Sequence, residues 1–208
     1  EGYVLDEVRL PKIRCPATTI KPLSHNEVKR LLRAFDTNRF TDLRNRTIVH
    51  LLIDTGLRLS ELVGIELPHI NLEEGFIFAA GKGGKERWIP FGSSTKKLLW
   101  GYIKKRGDIA AHTEEHLLIT EKGQPLSTRG VQVMFRRLAN LVRIDGVRLS
   151  PHTLRHSFAL LYIENGGDPF SLQRILGHST QAMTAKYVNM ARSNIKAQHD
   201  RFSPGDRL

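Results

Sequence analysis

Near the C-terminus, two histidines, an arginine and a tyrosine have side chains suited to phosphoryl transfer. His152 and Arg155 lie in SPHTLRHSF, His178 lies in ILGHS, and Tyr187 lies in AKYVN. The first three can hold or protonate a phosphate, and the tyrosine hydroxyl can attack it to give a covalent phosphotyrosine. The alternative for Tyr187 is half-buried packing, the usual role of a helical tyrosine. A phenol with a pKa near about 10 also needs a base, or a strongly cationic site, to attack at neutral pH.

The start of a helix is predicted to present His152 and Arg155. Ser150 is a favourable N-cap and Pro151 a favourable first helical residue, so free backbone N–H groups and the positive end of the helix dipole lie beside His152. Such a helix start can bind an anion. The alternative is an exposed helix start with two ordinary polar residues. A zinc pair of His152 and His156 lacks the glutamate of H-E-x-x-H and a further ligand.

Arg58 is a second candidate phosphate ligand. It follows a helix stop at Gly56 in TGLRLSEL, and precedes a short amphipathic helix. An arginine at such a junction can present its fork to two phosphate oxygens. Glu61, three residues later, could hold that guanidinium in place. The alternative is a surface ion pair that contributes less than about 1 kcal/mol.

The glycine-rich run at 81–85, GKGGK, predicts the tip of a β-hairpin. It lacks the order of a nucleotide-binding phosphate loop, and strands flank it on both sides. Lys82 or Lys85 could reach a nucleic-acid backbone from this tip or donate a proton. The alternative is a solvated β-turn.

The elements that must position these residues form a mainly α-helical chain with one small sheet. Ser24 and Glu27 form a capping box before a first helix, and a second helix stops at Gly56. From Ile70 to Phe91, short β-type runs separated by turns predict a three-stranded antiparallel meander. Further helices are predicted at 94–105, 127–142, 150–166, 168–177, from 179 or 180 through 187, and at about 191–201. The predicted fold class is therefore mainly α with a small antiparallel three-stranded β-sheet (α+β).

The domain organisation is predicted to be an interdomain linker at 1–22 and one domain at 23–208 that includes the tail helix. Three prolines, at positions 11, 16 and 22, interrupt the first segment, which has mixed charge and no sustained period. The chain begins Glu1-Gly2-Tyr3 without an initiator methionine. We therefore expect it to be a fragment of a longer protein.

Composition favours a polyanionic partner. Lys and Arg number 32 against 21 Asp and Glu, which gives a formal net charge of +11. Charge alone does not distinguish a DNA partner from RNA, from an anionic membrane surface or from a solvated basic face without a partner. Cys15 is the single cysteine, so an internal disulfide and a cysteine zinc cluster are excluded, and a reducing cytoplasm fits. The sequence contains neither a signal-peptide pattern nor an apolar run near about 18 residues.

Together these motifs resemble the catalytic domain of the tyrosine recombinases, or phage integrase family, which includes bacterial Xer proteins and mobile-element integrases. The resemblance covers roughly residues 23–190. The residues that match the family's catalytic set are Arg58, Lys82, His152, Arg155, His178 and Tyr187. Glu61 matches the acidic residue beside the first arginine, and Lys85 and Arg87 look like neighbouring contacts to a DNA backbone. The family's N-terminal core-binding domain is expected to be absent from this chain.

The resemblance implies a site-specific DNA recombinase that cleaves and rejoins strands through a 3′-phosphotyrosyl link at Tyr187. The two arginines and His178 would hold the scissile phosphate. Lys82 would protonate the leaving 5′-oxygen, and His152 would take the tyrosine proton and return it on reversal. Because a phosphotyrosine keeps the bond energy, the resemblance implies that neither ATP nor a metal is required.

The implied partner is double-stranded DNA with a specific recombination site, bound by a homotetramer in the synaptic complex and by a monomer in isolation. Accessory proteins are further candidate partners, and no membrane partner is expected. The implied location is the cytoplasm, for a protein encoded by a bacterium, a phage or a mobile element. Integration, excision, transposition and dimer resolution remain alternatives for the reaction. The C-terminal tail could dock on its own subunit or on a neighbouring one. Two other functions also remain: relaxation of DNA like a type IB topoisomerase, and regulation by a catalytically retired DNA-binding protein.

Overall fold

The computed structural model describes residues 21–80, 86–178, 180–191 and 195–207. The α-helices within this part of the chain are α1 (His25–Arg33), α2 (Phe40–Thr55), α3 (Leu59–Val63), α4 (Ser93–Gly107), α5 (Thr128–Val142), α6 (Pro151–Glu164), α7 (Pro169–Leu176), α8 (Ala182–Met190) and α9 (Ile195–Phe202). The strands of its antiparallel sheet, in spatial order, are β1 (Ile70–Asn71), β2 (Phe76–Ala80) and β3 (Glu86–Pro90). The predicted fold class is confirmed. None of the described helices is both long and apolar enough to cross a membrane.

Several helix ends lie close to the positions that the sequence predicts. At α1, the Ser24 hydroxyl accepts from the Glu27 backbone N–H, and the Glu27 carboxylate accepts from the Ser24 backbone N–H. At α6, the Ser150 side chain accepts from a backbone N–H of the first turn. The helices α2 and α7 end at Gly56 and Gly177, both in the left-handed conformation, with φ angles of 60° and 62°. The ends of α2 and α7 and the start of α6 border the candidate site.

The sheet has one face toward the core. Ile77 lies opposite Ile89 across β2 and β3, and both side chains are fully buried. Phe78 lies opposite Trp88 on the other face, where Trp88 is exposed. This alternation is the period-2 pattern of a strand with one packed face. Residues 81–85, the predicted hairpin tip, lie outside the described residues.

Two apolar clusters position the helices. In the first, α2 packs between α4 and α6, and its Ile48, Leu51 and Leu52 are fully buried. In the second, α7 and α8 pack on α6 around side chains that include Leu172 and Tyr187. Burial of one such aliphatic side chain contributes about 1.5–3 kcal/mol. The second cluster sets the position of Tyr187, the predicted nucleophile.

The described chain enters the core directly after the predicted linker. Leu23 is 1% exposed, and its backbone N–H donates to the Ser157 hydroxyl at 2.7 Å. Residues 1–20 lie outside the described residues. The linker at 1–22 and the domain boundary that follows it therefore stay predictions.

Candidate active site

Arg155 lies on α6 and is held by carbonyl oxygens at the ends of two other helices. It is 7% exposed, and its guanidinium donates to the carbonyls of Gly56 and of Leu176, the latter at 2.7 Å. Carbonyls at a helix C-terminus carry partial negative charge, so they stabilise this buried cation. Burial, with the positive charges of Arg58 and Arg87, lowers the pKa of Arg155 to about 10. The guanidinium therefore remains protonated at neutral pH.

Gly56 is required where α2 ends against α6 and α7. Its φ is 60°, and a Cβ there would lie 2.4 Å from Phe158 Cδ1 and 2.7 Å from Leu176 Cδ2. We expect Gly56→Ala to lower the free energy of unfolding by about 2–3 kcal/mol, because left-handed strain and overpacking add. The matched control is Gly101→Ala in α4, where an added Cβ meets nothing within 4 Å. Alanine at position 101 should raise the free energy of unfolding by about 0.5–1 kcal/mol, and urea denaturation that ranks the two variants as equal would contradict the prediction.

Glu61 is a buried carboxylate between two arginines. Its Oε1 accepts from Arg58 at 2.9 Å, and its two oxygens accept from Arg87 at 3.0 and 3.1 Å. The Arg58 backbone N–H also donates to Glu61, at 2.8 Å. Burial by itself raises the pKa of Glu61, but hydrogen bonds from both arginines and the charge of Arg87 outweigh burial and hold the pKa below its ordinary value. The ionised carboxylate therefore orients both guanidinium groups.

Arg58 and Arg87 differ in their exposure and in how many hydrogen bonds they make to the rest of the protein. Arg87 donates its Nε–H to the Ile175 carbonyl at 2.8 Å and its other nitrogens to Glu61, and its side chain is 13% exposed. These contacts join β3 to α3 and α7, and the predicted contact of Arg87 with a DNA backbone stays a prediction. Arg58 has a side chain that is 38% exposed, and its second nitrogen reaches only the Gly177 carbonyl, at 3.4 Å. Arg58 is the more available of the two for a phosphate.

His178 follows α7 and is oriented by α8. Its Nδ1 lies 3.0 Å from the hydroxyl of Thr184, which is 3% exposed. The imidazole is nearly parallel to the ring of Tyr187, at 15°, with 6.5 Å between centroids. Burial, then the positive charge of Arg155 and other nearby cations, lowers the pKa of His178 to about 4. The ring is neutral at pH 7, and the negative charge of a bound phosphate would favour its protonation.

Tyr187 lies on α8 with its hydroxyl directed at a histidine. It is 3% exposed, and its Oη is 2.6 Å from Nδ1 of His156. The ammonium of Lys186 lies 4.8 Å from the centroid of the Tyr187 ring. Burial raises the pKa of Tyr187 to about 12, with Arg155 acting in the opposite direction. The phenol is neutral at pH 7 and needs a proton acceptor to become a nucleophile.

His152 lies in the first turn of α6, as the sequence predicts, and it is exposed. Its Nε2 is 3.0 Å from Nε2 of His156, one helical turn later. Burial, followed by the charges of Arg155 and Lys186, lowers the pKa of His152. The zinc alternative finds no support in the described part of the chain, where no group of three or more His, Cys, Asp or Glu side chains could hold a metal ion.

A cationic cleft opens beside these residues. It has a volume of about 910 Å³ and lies between the starts of α3, α5 and α6. The cationic side chains along it are Arg58, Arg129, Arg136, Arg148 and Arg155, with His152 at the same wall. No acidic residue is among the described residues that line it. A cleft of one charge sign concentrates the electric field and attracts a polyanion.

The structure brings the described members of the predicted site to one region. These residues are Arg58, Glu61, Arg87, His152, Arg155, His178 and Tyr187. Their hydrogen bonds join α3, β3, α6, α7 and α8. Lys82 and Lys85 lie in 81–85, outside the described residues, so their proposed roles stay predictions.

Three further residues of the site were not predicted from the sequence to act on Tyr187 or a phosphate, although His156 was considered as a zinc ligand. His156 contacts the Tyr187 hydroxyl, Thr184 orients His178, and Lys186 places its ammonium near the Tyr187 ring. Helical spacing could have found two of them. His156 is four residues after His152, and Thr184 is three residues before Tyr187, so each pair shares a helix face.

The chain belongs to the phage integrase family, because the model of that family matches residues 21–194. Among curated relatives, the tyrosine recombinase XerD of Halalkalibacterium halodurans is 37% identical over 186 residues, which cover 88% of this chain and 62% of that protein. XerD of Staphylococcus aureus is 38% identical over 184 residues, with the same coverage. The chain thus spans 62% of the length of these relatives.

Solved structures show the same fold. The crystal structure of XerA recombinase aligns with a TM-score of 0.75 and 29% identity, over 91% of this chain and 67% of that chain. A structure of the XerH site-specific recombinase bound to palindromic difH substrate, a post-cleavage complex, aligns with a TM-score of 0.71 and 22% identity, over 89% of this chain and 53% of that chain. The family fold therefore extends through the helices that carry the candidate site.

Proposed function

We propose that this chain is the catalytic domain of a site-specific DNA recombinase that cleaves and rejoins strands through a 3′-phosphotyrosyl link at Tyr187. The observation that carries the proposal is the position of the Tyr187 hydroxyl. It is hydrogen-bonded to His156, which contacts His152. His152 and the buried Arg155 line the cationic cleft. Relatives at 37–38% identity that are named tyrosine recombinases support the same class of activity.

In the proposed reaction, cations stabilise the charge that develops on the scissile phosphate. Its non-bridging oxygens would be bound by Arg155, Arg58 and His178. Two helix ends hold Arg155 in place, and Glu61 orients Arg58. Preorganised donors of this kind each contribute about 3 kcal/mol to stabilising a transition state. His178 would add a proton donor once the phosphate has raised its pKa.

The remaining roles rest on the family resemblance. Lys82 would protonate the leaving 5′-oxygen, and Lys85 would contact the DNA backbone nearby. His152 would return a proton to Tyr187 when the strand is rejoined. The proposal requires neither ATP nor a metal, since the phosphotyrosine retains the energy of the broken bond.

The proposed partner is double-stranded DNA with a specific recombination site, bound by a homotetramer during synapsis. The net charge of +11 and the cationic cleft support a DNA partner, and XerH, which shares the fold, was crystallised with its difH substrate. Integration, excision, transposition and dimer resolution all use this strand-transfer chemistry. Because binding uses phosphates, the logarithm of the binding constant should fall by about 0.9 per neutralised phosphate for each tenfold increase in salt concentration.

Covalent capture on DNA tests the proposal without knowledge of the target site. The protein is incubated with a library of duplexes that have a randomised core and a nick beside it, so that cleavage releases a short strand and traps the adduct. Denaturing recovery and sequencing then give the target, and mass spectrometry gives the residue attached to the 3′-phosphate. We expect one enriched sequence family linked to Tyr187. An adduct on another tyrosine, or no adduct from any duplex, would overturn the proposal.

Strand exchange separates the proposed recombinase from a topoisomerase. Two duplexes that carry the captured site, one with a fluorescent label, are incubated with the protein, and the products are resolved on a gel. A recombinase gives recombinant duplexes of new length. Relaxation of supercoiled plasmid without recombinant products would instead assign the type IB topoisomerase activity.

A further inference from the structure

His156 occupies the place expected of the group that takes the proton of Tyr187. Its Nδ1 lies 2.6 Å from the Tyr187 Oη, and its Nε2 lies 3.0 Å from Nε2 of His152. The two imidazoles meet edge to face, with centroids 4.4 Å apart at 82°. His156 is four residues after His152 on α6, so both rings lie on the helix face that borders α8. The described hydrogen bonds therefore run from Tyr187 through His156 to His152.

The donors and acceptors in this chain fit one direction of proton transfer. If His156 accepts from Tyr187 at Nδ1, a neutral ring carries its own proton on Nε2. That Nε2–H can then donate to Nε2 of His152, provided that His152 carries its proton on Nδ1. Each of the two hydrogen bonds then pairs one donor with one acceptor. A proton taken up at one end of His156 can be released at the other.

Charge and burial keep His156 in the form that accepts a proton. Burial has the largest effect, and the cations and histidines that face the ring, namely Lys186, His152, Arg155 and His178, further lower the pKa of His156 to about 4. The imidazole is thus neutral at pH 7. A phosphodiester that enters the site brings negative charge, which raises the proton affinity of a nearby imidazole. His156 would therefore become a stronger base when the substrate is bound.

We propose that His156 is a catalytic residue that accepts the Tyr187 proton directly and passes a proton on to His152. The inference deepens the proposed function and rests on it. As the bond from Oη to phosphorus forms, the Oη–H bond breaks and its proton moves to Nδ1 of His156, while the Nε2 proton moves to His152. The bond from phosphorus to the 5′-oxygen breaks, and the 5′-oxygen takes a proton from the general acid. Rejoining runs the same transfers in reverse. The family resemblance assigns the tyrosine proton to His152, and the geometry inserts His156 between them.

Two substitutions at this position separate proton transfer from positioning. Asparagine places an amide oxygen near the position of Nδ1, so His156→Asn can keep a hydrogen bond to Tyr187 but cannot take its proton. His156→Ala removes both. His25→Asn, at an exposed histidine of α1, is the matched control. Thermal unfolding and DNA binding of each variant show that the fold and the cleft are intact.

Single-turnover adduct formation is measured on a captured site and on the same site with a bridging 5′-sulfur. Because sulfur leaves without protonation, that substrate removes the need for the general acid and retains the need for the base. We expect both His156 variants to form the adduct about 100-fold more slowly than the wild type on both substrates. Their rates should increase tenfold per pH unit, because the phenol must ionise into water, while the wild-type rate levels off.

The possible outcomes distinguish this inference from the proposed function. If the wild type forms no adduct with any duplex, the proposed function fails. If the wild type forms the adduct and His156→Asn matches its rate and pH profile, His156 only positions Tyr187 and the inference is wrong. The inference is also wrong if the sulfur substrate restores the rate, because His156 would then serve the leaving group.

Discussion

Tyr187→Phe is expected to abolish the covalent protein–DNA adduct while leaving DNA affinity and its salt dependence unchanged. The substitution removes one oxygen and no charge, so the cationic cleft that would hold the phosphates is unaffected. The ring of Tyr187 is 3% exposed and belongs to the apolar cluster of α6, α7 and α8, which phenylalanine can still fill. The lost hydrogen bond to His156 should cost about 1 kcal/mol of folding free energy.

The measurement for Tyr187→Phe is the yield of adduct on the captured site, resolved on a denaturing gel. The matched control is Tyr162→Phe, because Tyr162 lies on the same cluster but its ring contacts Phe158, whereas the Tyr187 hydroxyl contacts His156. The control should form the adduct at the wild-type rate. Persistence of the adduct in Tyr187→Phe would show that another residue is the nucleophile.

Glu61→Ala is expected to lower the free energy of unfolding by about 3–5 kcal/mol, because it leaves buried positive charge without its counter-ion. Three guanidinium groups lie near this position, and Glu61 hydrogen-bonds two of them, those of Arg58 and Arg87. Arg58 would also lose the contact that orients it toward the phosphate. Catalysis should therefore fall even in the fraction of Glu61→Ala that stays folded.

The effect of Glu61→Ala should depend on pH. The folded-state pKa of Glu61 is below its ordinary value of 4.5. Its stabilising contribution is therefore fully present above the unfolded pKa and is lost as the pH falls through the folded pKa. The difference in stability between wild type and variant should be constant near neutral pH and shrink in acid.

Urea denaturation at several pH values measures this difference. Glu86→Ala is the matched control, since Glu86 is exposed at the start of β3, next to Arg87. That substitution should change the free energy of unfolding by no more than about 0.5 kcal/mol. If Glu61→Ala were as stable as Glu86→Ala, the carboxylate would not be holding the arginines.

Local sequence signals predicted much of the fold because they act over a few residues. Ser24 with Glu27 set the start of α1, and Ser150 with Pro151 set the start of α6. The stop at Gly56 needs only a residue that tolerates a left-handed backbone. The resemblance to the family then selected a set of polar residues, and the structure brings the described members of that set together, while Lys82 and Lys85 lie outside the described residues.

Contacts between residues distant in the chain were not predictable in this way. Arg87 is 26 residues after Glu61, and nothing local distinguishes a buried ion pair from a DNA contact at an exposed hairpin. His156 is 31 residues before Tyr187, and its helical spacing relates it only to His152. Both contacts depend on how separate elements pack. Hydrophobic periodicity and helix-capping residues do not predict that packing.

The sequence by itself determined the fold class and several helix caps, and it predicted a set of residues whose types suit binding and attack of a phosphate. These follow from residue types, short spacings and the family pattern. Tertiary structure decided which of these residues contact one another and which are buried. Packing of α7 and α8 on α6 buries Tyr187, raises its pKa and brings its hydroxyl to His156. Packing of β3 on α7 and of β2 on α3 brings Arg87 to Glu61. The reason is that burial and hydrogen-bond partners arise from atoms far apart in the chain, and they control the charge and reactivity of each group.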